Sequence, residues 1–272
     1  MAEDLALNLP PHRTWQRGGD RPVLALHCSL AHAGAWGALA EELDGVALTA
    51  IDQIGHGRAP DWDGISDLHA DATRAAAAMA AELGQGAPID MLGHSFGATV
   101  CLRLALERPD LVRSLTLVEP VIFAAARAAG NPAYGPFRTR HERLAALLKA
   151  GRTRDAAEDF HGYWGTGEPF AELPPRMQGY ILDRMHLIAA QNDVLLDDAA
   201  GLLRLSGLEG IGVPVLLVEG ADSPPVIAAV HDELARRLPH VTRLVVPGAG
   251  HMVPITHAAA VQPAMAALLA RA

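Results

Sequence analysis

Gly93-His94-Ser95-Phe96-Gly97 is the stretch that decides how this chain of 272 residues folds. It joins an apolar, strand-like run at residues 88–92 to a helix-like run at residues 98–107. A serine placed this way sits on a sharp, strained turn, and only residues without bulk two positions before and after it let the neighbouring backbones pass. The turn also puts the hydroxyl at a helix N-terminus, where free backbone N–H groups stabilise negative charge. The pattern therefore predicts that Ser95 is a nucleophile.

A second glycine-rich stretch, Gly248-Ala249-Gly250-His251-Met252, offers a base for that serine. It follows a strand-like run at residues 242–246 and precedes the last helix-like run of the chain. A histidine on such a loop is placed to take a proton from a nucleophile. A carboxylate between the serine and the histidine should then hold the imidazole in the correct tautomer.

With three further segments, these motifs make the chain resemble an α/β-hydrolase from about Pro22 to the C-terminus. Val23 to Ser29 resembles the strand and His-Gly-x turn that supplies one oxyanion amide, with Cys28 where the family usually has Gly. Asp52 to Gly57 resembles the D-x-x-G-H-G loop, and Pro214 to Asp222 resembles the late strand and acid-bearing loop. The resemblance implies a mostly parallel central sheet flanked by helices, and an oxyanion hole made by the backbone amides of Ser29 and Phe96.

Two carboxylates compete for the third catalytic role. Asp222 lies in the usual loop, but the family pattern G-x-x-D-P places its acid one position later, on Ser223. Glu119 ends the preceding strand, where members resembling haloalkane dehalogenases keep their acid. By a small margin we favour Asp222 over Glu119 as the catalytic acid, because loop backbone absorbs a one-residue offset more easily than a strand does.

Strand-like and helix-like runs alternate along the chain, as in an α/β fold with a parallel sheet. Strands are predicted near residues 4–9, 12–17, 22–28, 46–52, 88–94, 112–119, 213–219 and 241–246. Helices are predicted near residues 32–44, 64–84, 95–107, 224–238 and 256–271. After the sixth strand the alternation stops, and residues 121–208 show only helical patterns. We expect residues 1–120 and 209–272 to form the hydrolase core and residues 121–208 to form the helical cap that the resemblance implies.

The predicted cap contains two groups of side chains that could reach a substrate. Its aromatic residues are expected mostly to pack within the cap, with one or two at the pocket: Tyr134, Phe137, Phe160, Tyr163, Trp164 and Phe170. Its basic residues are expected to form a solvated face, unless one arginine turns inward to hold a carboxylate: Arg138, Arg140, Arg143, Lys149, Arg152 and Arg154.

Net charge, cysteine content and missing motifs argue against several classes of protein. The formal net charge of −9 argues against a nucleic-acid partner, whose phosphates it would repel. The first residues lack the pattern of a signal peptide, and no apolar run reaches membrane-spanning length. Cys28 and Cys101 are the only cysteines, which favours reduced thiols and a cytoplasmic location. The sequence contains no metal or cofactor motif, so neither is expected.

These observations predict a cofactor-independent serine hydrolase that acts on a small or medium, largely apolar ester-like molecule. The alternative from another class is a ligand-binding protein with an idle triad. C–C hydrolases and acyltransferases share the same triad, so the reaction subtype stays open, as do the substrate and the oligomeric state.

Overall fold

The computed structural model describes residues 9–272 and is built around one six-stranded sheet in the order β2-β1-β3-β4-β5-β6. Its strands are β1 (His12–Leu26), β2 (Val46–Ile51), β3 (Ile89–His94), β4 (Val112–Val118), β5 (Val215–Gly220) and β6 (Val241–Val246). From β1 through β6 the neighbouring strands pair in parallel. The predicted α/β class with a mostly parallel sheet is confirmed. Residues 4–8 of the first predicted strand lie outside the described residues.

Strand β1 contains both of the strands predicted at residues 12–17 and 22–28. Its register against β2 runs from His12 opposite Ile51 down to Arg17 opposite Val46. It then runs back up, from Arg21 opposite Val46 to Leu26 opposite Ile51. Both parts of β1 therefore pair with β2, and the second part leads into the turn that carries Ser29.

Eleven α-helices accompany this sheet within residues 9–272: α1 (Gly37–Glu42), α2 (Leu68–Gly84), α3 (Phe96–Glu107), α4 (Ala124–Ala128), α5 (Tyr134–Lys149), α6 (Thr153–Trp164), α7 (Pro175–Ala190), α8 (Asn192–Asp197), α9 (Pro225–Arg237), α10 (Val253–Thr256) and α11 (Ala258–Arg271). Alternate residues of a strand point to opposite faces of a sheet. In β1, Leu24 and Leu26 accordingly join the hydrophobic cluster under α2, α3 and α9, while Val23 and Ala25 join the cluster under α1 and α11. The sheet is thus covered on both faces, as a parallel sheet requires.

The segment between β4 and β5 is helical, and the structure places no strand in residues 121–208. Helix α4 packs against α9 and belongs to the main core. Helices α5, α6 and α7 enclose a separate small cluster that includes Leu144, Phe170 and Met185. We call residues 121–208 the helical insertion. None of the helices described is both long and apolar enough to cross a bilayer.

Candidate active site

Ser95 stands on the turn between β3 and α3 with strained backbone angles, φ 56° and ψ −117°. Positive φ is uncommon for a residue with a side chain, and the ψ of −117° places Ser95 outside the left-handed helical region as well. Strained angles of this kind cluster at functional sites. A Cβ on Gly93 would lie 2.5 Å from the Ala98 Cα, and one on Gly97 would overlap the Leu26 carbonyl. Glycine is therefore required on both sides of Ser95, as the G-x-S-x-G pattern predicts.

His251 lies on the loop between β6 and α10, and its ring borders the same cavity as Ser95. Both residues are almost fully buried, and the Trp164 ring packs on the imidazole with 4.7 Å between centroids. Within residues 9–272, the structure gives no hydrogen bond between the Ser95 hydroxyl and His251. Such bonds are often long before substrate binds and tighten in the complex.

Glu119 is the carboxylate that the structure brings to His251. Its Oε2 accepts a hydrogen bond from His251 Nδ1 at 2.5 Å, since an ionised carboxylate can only accept. Its Oε1 accepts from the Gly220 amide at 2.7 Å and from the Ser223 hydroxyl. Burial raises the pKa of this carboxyl, but the hydrogen bonds from His251, Gly220 and Ser223 outweigh burial and hold the pKa below its usual range. A buried anion therefore orients the imidazole.

The expectation that Asp222, rather than Glu119, contacts His251 is wrong. Asp222 is exposed on the loop after β5, and within the described residues only its backbone amide is engaged, donating to the Ala249 carbonyl at 2.9 Å. The loop instead directs Ser223, the residue at the family's usual acid position, toward the Glu119 carboxylate. The one-residue offset thus removes Asp222 from the site, and the backbone at Glu119 turns to φ 47° to supply the acid from β4.

The turn after β1 carries the predicted oxyanion amide of Ser29. The next amide, that of Leu30, donates to His56 Nε2 at 3.1 Å, and the Ala31 amide donates to the Cys28 carbonyl. The Ser29 amide has no acceptor within residues 9–272, and Ser29 borders the cavity. Phe96 opens α3, and the first amides of a helix lack intrahelical acceptors. Both predicted amides are thus available for a substrate oxygen.

Two buried histidines, His27 and His56, fix the shape of this turn. His27 Nδ1 donates to the Cys28 carbonyl at 2.7 Å, while His27 Nε2 accepts from the Gln53 amide at 3.1 Å. His56 Nδ1 donates to the Ile54 carbonyl at 3.0 Å, so its Nε2 is free to accept from Leu30. Burial lowers the pKa of His27 to about 4 and that of His56 to about 3. Both rings are therefore neutral near pH 7, as an acceptor nitrogen must be.

Cys28 takes the place of the family glycine, and its thiol makes none of these hydrogen bonds; only its backbone carbonyl does. Its side chain is buried, and burial raises the pKa of its thiol to about 12. Cys101 is buried in α3, and burial raises the pKa of that thiol as well. The two thiols are free and protonated at neutral pH, so neither is a competing nucleophile.

The cavity has a volume of about 1280 Å³ and lies between the core and the helical insertion. Of the six aromatic residues expected in the insertion, Phe160 and Trp164 line it, while Phe137 packs against Phe123 in a tilted arrangement with 4.0 Å between ring centroids. None of the six basic residues singled out between Arg138 and Arg154 lines the cavity. Arg138, for example, pairs with Glu142 on its own helix. Among these six, the solvated-face interpretation therefore fits.

Sequence reasoning missed several residues that complete the site. Trp164 was one of six aromatic candidates, and only the fold of the insertion brings its ring onto His251. Ser223 carried a signal, because it occupies the usual acid position. Tyr180 and Arg184 of α7 line the cavity without any motif that marked them. Within the described residues, no group of three or more His, Cys, Asp or Glu side chains could hold a metal ion.

Comparison with known proteins agrees with the resemblance. A family model for the alpha/beta hydrolase fold matches residues 21–258. Lipase LipV of Mycobacterium tuberculosis is 38% identical over 104 residues, which is 38% of this chain and 39% of that lipase. An (E)-2-((N-methylformamido)methylene)succinate hydrolase of Acinetobacter baylyi is 24% identical over 267 residues, 97% of each chain. Human monoglyceride lipase is 30% identical over 125 residues, 43% of this chain and 41% of that enzyme. The chain thus matches less than half the length of the two lipases but nearly the whole of the Acinetobacter hydrolase.

Solved structures share the fold over nearly the whole chain. A hydrolase from Pseudomonas aeruginosa superposes with a TM-score of 0.73 at 21% identity, covering 95% of this chain and 93% of that one. A haloalkane dehalogenase loop variant from Bradyrhizobium elkanii gives a TM-score of 0.70 at 22% identity, covering 96% of this chain and 92% of the other. At these identities the likeness concerns the fold alone.

Proposed function

Because the chain belongs to the α/β-hydrolase family, we propose that it is a serine hydrolase that cleaves a small or medium ester-like substrate through Ser95, His251 and Glu119. The observation that carries the proposal is the buried hydrogen bond from His251 to Glu119 beside a strained serine on the wall of one cavity. This arrangement supplies a nucleophile, a base and an orienting anion, each from a different strand end of one sheet edge.

In the proposed reaction, His251 Nε2 takes the proton of the Ser95 hydroxyl as the oxygen attacks the substrate carbonyl. Glu119 keeps the second imidazole proton on Nδ1 and stabilises the imidazolium that forms. The Ser29 and Phe96 amides hold the oxyanion, a task worth about 10²–10³ in rate for one donor. His251 then returns the proton to the leaving group, and water hydrolyses the acyl-enzyme by the same steps in reverse.

Three relatives support hydrolysis of an acyl bond. LipV and human monoglyceride lipase are named lipases, so an oxygen ester is the first substrate class to test. The full-length relative from Acinetobacter is named for a succinate derivative, which adds a charged, amide-like compound to the range. Buried free thiols at Cys28 and Cys101 are compatible with the cytoplasmic location that we also propose.

The test is covalent labelling by a fluorophosphonate probe together with a panel of 4-nitrophenyl esters of graded acyl length. Ser95→Ala should abolish labelling and lower ester turnover by at least about 10⁴-fold, because a triad serine acts as a unit with its base. Ser206→Ala is the matched control, since Ser206 is exposed and lies outside the cavity. Labelling of Ser95→Ala at the wild-type level would refute the mechanism. A wild-type protein that neither labels nor turns over esters would instead be the ligand-binding alternative.

A further inference from the structure

Arg184, on helix α7, lines the cavity that contains Ser95 and has no anionic partner within residues 9–272. Its Nη1 donates only to the Tyr180 carbonyl at 3.1 Å, one turn back along the same helix. Its Nε is buried and has no acceptor in the described chain. Arg184 is half-buried and keeps hydrogen-bonding capacity that the described chain does not use, so its guanidinium is available to an anionic ligand in the cavity.

The guanidinium is held in place before any ligand arrives. It lies over the Tyr180 ring, with 3.8 Å from its central carbon to the ring centroid. The Tyr180 hydroxyl in turn donates to the Ala31 carbonyl at 2.8 Å and accepts from the Gly57 amide at 2.9 Å. Arg184 therefore rests on a ring that is tied to the hydrolase core, and a fixed guanidinium loses little entropy on binding a carboxylate.

Positively charged side chains outnumber negatively charged ones along the described lining of the cavity. Among residues 9–272, four arginines line it, Arg13, Arg58, Arg176 and Arg184, against two acids, Asp52 and Glu168. Asp52 accepts from the Ala33 and Arg58 amides and lies 3.7 Å from Arg58 Nε, so Arg58 and Asp52 offset each other and Arg13, Arg176 and Arg184 remain against Glu168. The whole chain carries a formal charge of −9, so this cavity differs in sign from the molecule around it. Such a lining attracts anions into the cleft.

We propose that Arg184 binds a carboxylate of the substrate, so that the preferred substrate is an acidic ester or related acyl compound, such as a half-ester of a dicarboxylic acid. The inference deepens the proposed hydrolase function and rests on it. One planar guanidinium can donate two parallel hydrogen bonds to a carboxylate, which gives orientation as well as affinity.

The experiment compares acidic and neutral esters that are otherwise matched. Mono-4-nitrophenyl esters of glutaric to suberic acid, with 4-nitrophenyl hexanoate as the neutral reference, place the carboxylate on the acyl side. 4-Carboxyphenyl hexanoate, with phenyl hexanoate as its reference, places it on the leaving group. The wild type should favour the best acidic ester over its reference by about tenfold or more in kcat/KM, and added salt should reduce the ratio.

Arg184→Gln should lower that ratio by about 10- to 100-fold, in line with the loss of a charge-assisted hydrogen-bond pair. Arg184→Lys keeps the charge, should retain part of the preference, and serves as the test variant if the glutamine variant does not fold. Arg138→Gln is the matched control, because it removes one charge from the helical insertion outside the cavity, and it should leave the ratio unchanged. Equal ratios in wild type and Arg184→Gln, or an equal fall in Arg138→Gln, would overturn the proposal.

A binding measurement separates this inference from the hydrolase function. Calorimetry with the probes glutarate and adipate on Ser95→Ala, which cannot turn over esters by the proposed mechanism, should show binding that Arg184→Gln added to the same variant abolishes. If no ester is hydrolysed but this binding is observed, the carboxylate site stands and the proposed reaction falls. If esters are hydrolysed and neither diacid binds in an Arg184-dependent way, the reaction stands and the carboxylate site falls.

Discussion

Replacing Glu119 by glutamine tests the acid assignment most directly, because the surroundings dictate how the new amide must sit. Both fixed donors, the Gly220 amide and the Ser223 hydroxyl, point at Oε1, and His251 faces Oε2. In Glu119→Gln, the amide oxygen of the new side chain will therefore take the Oε1 position, where it accepts hydrogen bonds from the two donors. Its NH₂ group must then face His251 Nδ1 and donate to it.

That reversal puts the imidazole proton on Nε2, where the ring cannot accept the proton of Ser95. We expect kcat to fall by about 10³–10⁴-fold, which corresponds to about 4–5.5 kcal/mol in the barrier. The amide is isosteric and keeps its partners, so the fold should survive. Ser223→Ala removes one donor but leaves the anion, and should cost about tenfold or less.

The assay is steady-state hydrolysis of a 4-nitrophenyl ester by three variants, with thermal unfolding as the check on folding. Asp222→Asn is the matched control, an acid-to-amide change on an exposed side chain, and should change kcat by less than about threefold. The reasoning would be refuted if Asp222→Asn lost as much activity as we expect of Glu119→Gln, or if Glu119→Gln kept a tenth of wild-type kcat or more.

Two further predictions concern the oxyanion turn and the buried histidines. Ser29→Pro deletes the proposed oxyanion amide and should lower kcat by at least about 10²-fold, whereas Ser29→Ala should cost less than about tenfold in kcat. Ser29→Ala should still lower the thermal midpoint, because it removes the hydrogen bond from the Ser29 hydroxyl to buried Gln191. Equal kcat in Ser29→Pro and Ser29→Ala would contradict the assignment of the Ser29 amide to the oxyanion hole. Acid should destabilise the fold between about pH 6.5 and 4. Burial lowers the pKa of five histidines to about 3–4, so in this window only the unfolded chain takes up their protons: His27, His56, His69, His94 and His231. Stability is therefore lost as the pH falls through that window. Thermal unfolding followed at pH 7, 6 and 5 checks this, and a midpoint that does not fall would contradict it.

The fold was predictable because its signals are local. Alternating apolar residues, helix-like runs and the spacing around Ser95 depend on a few neighbours along the chain. Even so, the two predicted strands at residues 12–17 and 22–28 lie in one element, β1, since the pairing of both parts with β2 depends on a segment more than twenty residues away.

By itself, the sequence determined the α/β class, the glycines that Ser95 needs, and a nucleophile and a base to propose. Each of these depends on short motifs or on the local pattern of strand-like and helix-like runs. Only the tertiary structure decided which acid meets His251, since that depends on where β4 and β5 end relative to the β6 loop. Only the tertiary structure likewise decided which residues line the cavity. Trp164 and Arg184 carry no motif, and they border the cavity only because α6 and α7 fold back over the carboxyl edge of the sheet. Contacts between residues far apart in the chain are set by the packing of whole elements, and a local pattern does not contain them.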